Sequence, residues 1–212
     1  MPELNAWGGV ALALVVVAGS LLVIGRDWRI GLLALLIEYV AAAVLIAPLV
    51  LLAVVAVKLL VGLLVVAILT LTAWQVDFGR PGADGTSAWR RRFDVPTGFA
   101  FRVMATLMMA VAATYLANQP GLALPGLDQY PSVNVAAYVL MALGLLNLGL
   151  TEEPINAGLG LLSLLMGFEL FYAALEPALA VVALLAAVQL GIAIAVSYLA
   201  MLQYSAPESP AA

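Results

Sequence analysis

The chain has 212 residues, of which 66% are hydrophobic and 9% charged, with a formal net charge of −4 and neither cysteine nor histidine. So little charge over continuous apolar stretches excludes an ordinary water-soluble domain, and eight Lys plus Arg leave no basic footprint for nucleic acid. The missing residue types rule out an iron–sulfur site, His- or Cys-ligated haem, structural zinc and a histidine general base, so no cofactor is expected and any redox chemistry must lie in another chain.

The sequence opens MPELNAWGG, with no basic n-region, and no A-x-A-like cleavage site precedes the basic flank of the first apolar segment. The expectation is a retained first helix rather than a signal peptide. Runs of about 20 apolar residues can cross a hydrocarbon core of ~30 Å as helix. They are continuous Ala/Leu/Val stretches rather than alternating ones, which excludes barrel strands. Seven spans are expected: Leu4–Val23, Ile30–Leu49, Leu51–Trp74, Gly98–Leu116, Val133–Leu150, Ile155–Leu175 and Ala178–Leu202. The fold class is all-α, a polytopic membrane bundle. Gly25-Arg26-Asp27 separates the first two spans by charge, whereas Pro48 and Pro177 make very short turns after the second and sixth. Residues 77–96 form a polar loop rich in Gly, Pro and Arg. Residues 118–132, with three prolines, form another, and Thr151 to Pro154 a polar turn.

Seven spans put the first, third and fifth loops and the C-terminus on one side. Arg26, Arg29, Arg80, Arg90, Arg91 and Arg92 all fall there, Arg102 stands at the same end of the fourth span, and the opposite side has no Lys or Arg. The positive-inside rule makes that side cytoplasmic, with the N-terminus outside an inner (plasma) membrane. Arg90, Arg91 and Arg92 read chiefly as a topology determinant, with contact to anionic lipid or a peripheral subunit as the alternative. Trp7, Trp28 and Trp74 lie near span ends, where aromatic belts belong. Glu152 and Glu153 beside Pro154 read as a helix start, acids being favoured there, with a soluble partner arm as the alternative contact.

Four polar residues fall inside spans: Glu38, Lys58, Glu169 and Gln189. Glu38 lies about 14 Å of helical rise from Arg29. A charge at such depth costs ~2.5–3.5 kcal/mol and calls for a partner or a wet cavity. Glu38 and Lys58 could form one structural ion pair between adjacent helices. Alternatively these groups belong to an intramembrane proton or ion relay, with Glu169 lacking an obvious counter-charge and Gln189 placed to hydrogen-bond it. Tyr39 and Tyr172 read as core or interface aromatics.

The spacing from Glu38 to Lys58 equals that from Glu169 to Gln189, 20 residues. A GLL-type run precedes each acid, Gly31 to Ile37 and Gly160 to Met166, and a proline lies between each acid and its partner position. This suggests two parallel three-helix repeats joined by a linker helix. The division is then 1–76 for the first repeat, 77–132 for loop, linker helix and outer loop, 133–204 for the second repeat, and 205–212 for a disordered tail.

Leu165-Met166-Gly167-Phe168-Glu169-Leu170 resembles the Gly-x-Glu motif on the second helix of the complex I K subunit, and Ala186-Ala187-Val188-Gln189-Leu190-Gly191-Ile192-Ala193 resembles that family's third-helix motif. Gln189 replaces the family's second acid, a departure that removes one titratable position. The doubled unit, Lys58 in its third helix and Arg29 at the start of its second make the whole chain similar to component E of hydrogenase-4 and formate hydrogenlyase type complexes. The C subunit of multisubunit cation/proton antiporters shares the single unit. The resemblance implies a membrane-arm subunit of a complex I-like respiratory, hydrogenase or antiporter complex. Such a subunit is not redox-active itself, contributes Glu38, Lys58, Glu169 and Gln189 to proton translocation, and has antiporter-like membrane subunits as partners. An independent secondary transporter and a structural scaffold are the competing readings.

Overall fold

The computed structural model describes residues 2–25, 27–75, 98–119, 121–122, 130–175 and 179–205. The expected 77–96 loop, with Arg80, Arg90, Arg91 and Arg92, lies outside the described residues, as do Arg26, Pro177 and the tail from residue 206. The described residues form seven helices and no strand: α1 (Pro2–Ile24), α2 (Trp28–Ile46), α3 (Leu52–Gln75), α4 (Phe99–Ala117), α5 (Pro131–Leu150), α6 (Pro154–Leu175) and α7 (Leu179–Ser205).

Their boundaries follow from local chemistry. Proline begins α5 and α6, at a position where the missing N–H is not needed for the helical ladder. Pro48 has no N–H to offer, and α2 ends just before it, closing through Ala47 N–H to Ala43 O at 3.1 Å and Leu49 N–H to Ile46 O at 2.8 Å. Among the described residues six helices are long and apolar enough to cross a membrane, and the apolar part of α1, Gly8–Ile24, adds a shorter segment.

The distribution of polarity is that of a membrane-embedded bundle. Leu51, Leu52 and Phe99 are between 71% and 81% exposed, while Glu38, Lys58, Asn134, Asn147, Ser163, Glu169 and Gln189 are buried. Water would penalise that outer surface, whereas lipid tails accept it, and the interior is where polar groups find partners.

In the bundle α1 packs on α2 and α5, α5 on α6, α2 on α3 and α6, and α7 on α3 and α6. α4 lies at the periphery against α5 and α1, with only Thr106, Ala113 and Ala117 buried. Small residues bring α5 and α6 together backbone to backbone. A Cβ on Gly144 would stand 2.5 Å from Leu164 N and 2.7 Å from Gly160 O, and one on Gly167 2.8 Å from Ala137 O. Close approach of this kind supplies dispersion contact where the hydrophobic effect gives no drive between helices.

Arg102, in the first turn of α4, donates through its two terminal nitrogens to Val23 O at 3.1 Å and Leu150 O at 3.0 Å. These carbonyls close the last turns of α1 and α5, where the helix dipole is negative and the ladder has run out of donors. At the opposite end of α4, Asn134 Nδ2 donates to Ala117 O at 2.7 Å. Polar side chains on neighbouring elements thus seal three helix C-termini.

Candidate functional site

The interior is mostly Ala, Leu and Val, so each polar side chain in it has to be accounted for. Lys58 sits in the second turn of α3, about 9 Å of rise from its start, and Glu169 about 9 Å from the end of α6. Lys58 Nζ reaches Glu169 Oε2 at 2.6 Å, an ion pair with both side chains almost wholly enclosed. α3 packs chiefly on α2 and α7, so the lysine's long stem provides the reach to α6. The same Glu169 oxygen accepts from Gln189 Nε2 on α7 at 2.8 Å, and Gln189 Oε1 accepts from the Tyr39 hydroxyl on α2 at 3.1 Å.

One hydrogen-bonded chain, Tyr39 to Gln189 to Glu169 to Lys58, therefore stitches together α2, α7, α6 and α3. The Lys58 ammonium also lies 5.9 Å from the centroid of the Tyr39 ring, near the outer limit of a cation–π contact. Gly62 makes room for that ring, since a Cβ there would stand 2.5 Å from Tyr39 Cγ. Tyr39 is thereby a member of the network and not merely a core aromatic.

Glu38 precedes Tyr39 and has no exposed surface, but its surroundings differ. Its carboxyl faces Gly19 on α1, where a Cβ would stand 3.3 Å from Oε1 and 2.9 Å from Leu143 Cδ1 of α5. Ser163 of α6 lies beside it. The contact makes no well-formed hydrogen bond: both Glu38 oxygens and Ser163 Oγ are buried without a partner among the described residues. About 9 Å of rise along α6 separates Ser163 from Glu169. An ionised carboxylate held this way, without counter-charge, would cost several kcal/mol.

The structural pairing of Glu38 with Lys58, one of the two alternatives, is therefore corrected. Lys58 bonds Glu169 and not Glu38, and the acid without a counter-charge is Glu38 and not Glu169. Two acids with the same spacing to their partner positions sit in opposite environments, one paired with an ammonium and hydrogen-bonded by an amide, the other without a partner among the described residues. Gln189 does hydrogen-bond Glu169.

The remaining candidates lie elsewhere. Arg90, Arg91 and Arg92 are outside the described residues. Glu152 and Glu153 are exposed just before α6, and Glu153 accepts from Asn156 Nδ2 at 2.7 Å and, through its carbonyl, from Ala157 N at 2.9 Å. That is the geometry of a helix start. Among the described residues no group of three or more metal-ligating side chains occurs.

Thr72, Ser197, Asn134, Asn147 and Arg102 carry structural bonds that the sequence reading does not assign, whereas Ser163 Oγ, beside Glu38, has no partner among the described residues. Thr72 Oγ1 donates to Ser197 Oγ at 2.8 Å between α3 and α7, and Asn147 Nδ2 to Asn156 O at 2.9 Å. Their signal was available, because a polar residue inside an apolar span is a prompt to look for an interhelical partner. No family model, curated protein or solved structure matches the chain.

Proposed function

We propose that this chain is a proton-conducting, non-redox subunit in the membrane arm of a complex I-like respiratory, hydrogenase or cation/proton antiporter complex. The observation that carries the reading is the pair of unlike carboxyl sites in the bundle interior. Glu169 is held by Lys58 and Gln189, and Glu38 is enclosed with nothing to hold it. A proton leaving or entering Glu38 changes an uncompensated charge, and the nearby Lys58–Glu169 pair must respond electrostatically. A relay of charge movements needs such coupling between sites that can each be neutral or charged.

Two parallel repeats fit this proposal. Exchanging α1 with α5, α2 with α6 and α3 with α7 maps the observed helix packing onto itself. The same exchange places Glu38 on Glu169 and Lys58 on Gln189. It would also map the Lys58–Glu169 bond onto one between Gln189 and Glu38, but Gln189 instead bonds Glu169. Both partner positions thus converge on a single acid, and the asymmetry leaves Glu38 free to exchange its proton. In this reading α1 is a seventh span, the N-terminus is outside and the C-terminus is cytoplasmic. Arg102 then joins the two repeats at their cytoplasmic ends.

The test is proton pumping by the native complex carrying Glu38→Gln or Glu169→Gln. Both complexes should assemble, and both should lose coupling. Full pumping in both variants favours a scaffold in which the Lys58–Glu169 pair acts only as glue. Uptake of a solute by the purified chain alone in vesicles favours an independent transporter.

A further inference from the structure

A cleft of about 530 Å³ opens between the start of α2 and the end of α3, on the outside of the bundle and away from the buried network. Arg29 stands at its mouth, with the guanidinium 5.3 Å from the centroid of the Trp28 ring. Below the mouth the walls are apolar: Leu33 and Leu36 from α2, and Val66 from α3, with Trp74 flanking the entrance. The wall residues follow at helical spacing over two turns, about 12 Å. Thr70 also lines the cleft, but its hydroxyl is already used, donating to Val66 O at 2.6 Å, so it offers the cleft little polarity.

These features describe an amphiphile's mould. A cation and two indoles stand at helix ends, the level at which aromatic belts meet head groups, and a greasy channel runs from there along the outer faces of α2 and α3. Among the described residues no carboxylate pairs with Arg29; Asp27, two residues away, makes no ion pair with it. The charge at the mouth is therefore available to an anion, and the volume lies within the range of sites for small ligands.

We propose that this cleft binds an anionic glycerophospholipid, with its phosphate on Arg29 and an acyl chain along Leu33, Leu36 and Val66. Guanidinium matches phosphate in two-point geometry, and a basic residue close to an anionic head group is worth about fivefold in affinity. The bound lipid would brace α2 against α3, the helices that carry Glu38, Tyr39 and Lys58. The site does not depend on the function proposed above, because it needs only a bilayer around the bundle.

The experiment is native mass spectrometry of the full-length chain released from detergent, titrated with phosphatidylglycerol and with phosphatidylcholine of identical acyl chains. Phosphatidylglycerol should bind about fivefold more tightly. Arg29→Gln should abolish the difference, and Arg29→Lys should keep most of it. Leu33→Trp, a change at a position already 60% exposed, should fill the channel and weaken both lipids. Equal affinities for the two lipids in the wild-type chain would overturn the proposal. So would a phosphatidylglycerol preference that survives Arg29→Gln.

Discussion

Lys58 and Glu169 should be strongly coupled in stability, and Lys58 and Glu38 should not. Lys58→Met removes the ammonium 2.6 Å from Glu169 Oε2 and leaves a carboxylate in an enclosure with few other donors. Removing one member of a buried pair costs ~3–5 kcal/mol. Gln189 still donates to the same oxygen, so the loss should fall near the lower end, about 3 kcal/mol. Glu169→Gln strands the ammonium instead, with a neutral acceptor and the Tyr39 face for company, and should cost about 2–3 kcal/mol. In the double variant neither group is charged, and replacing both members of a buried pair is often close to neutral, so its cost should be about 1 kcal/mol. The coupling energy should then be about 4–5 kcal/mol, above the ~3 kcal/mol that residues in direct contact usually reach, because each single variant strands a buried charge. The assay is detergent-driven unfolding of the full-length chain in mixed micelles, followed by tryptophan fluorescence. A parallel cycle on Glu38 and Lys58 should be additive within about 0.5 kcal/mol. Additivity at Lys58–Glu169, or strong coupling at Glu38–Lys58, would refute the assignment of the ion pair.

Three further outcomes follow from the same geometry. Dicyclohexylcarbodiimide, which attacks carboxyl groups free of a counter-ion in apolar surroundings, should modify Glu38 in preference to Glu169, as read by peptide mass spectrometry; equal labelling would contradict the difference between the two sites. Arg102→Gln should destabilise the bundle by at least ~2 kcal/mol, because two charge-assisted bonds to Val23 O and Leu150 O are lost. Arg102→Lys should recover only part of this, since one ammonium does not reproduce the two-nitrogen fork. Gly144→Ala should cost about 1–3 kcal/mol in the same unfolding assay, because its methyl meets backbone that can yield only if α5 and α6 separate. Gly9→Ala and Gly149→Ala, where a Cβ meets nothing within 4 Å, should stay within about 0.5 kcal/mol.

Much of the architecture is legible without coordinates. Helix positions in this chain depend on the length of apolar runs and on where prolines and charges stop them, which are properties of consecutive residues. The spans expected from Leu51 to Trp74 and from Ile155 to Leu175 differ by a residue from α3 and α6. The second span, expected to run to Leu49, ends at Ile46, because Pro48 cannot donate to the ladder and the chain turns before it. The four polar candidates inside spans are likewise visible as residues that an apolar helix would not carry without a reason, and all four are buried.

What the linear sequence determines by itself is therefore an all-helical, membrane-embedded chain and the short list of side chains that lipid cannot tolerate. It does not determine which of them meet. Spacing along the chain made Glu38 and Lys58 natural partners, since they stand on consecutive helices. Only the packing of α3 beside α2 and α7, and the rotation of each helix about its axis, directs the Lys58 stem to Glu169 and leaves Glu38 facing Gly19, Leu143 and Ser163. Apolar residues surround these helices on nearly every face, so hydrophobic periodicity carries almost no information about rotation, and side-chain contacts between distant segments decide it.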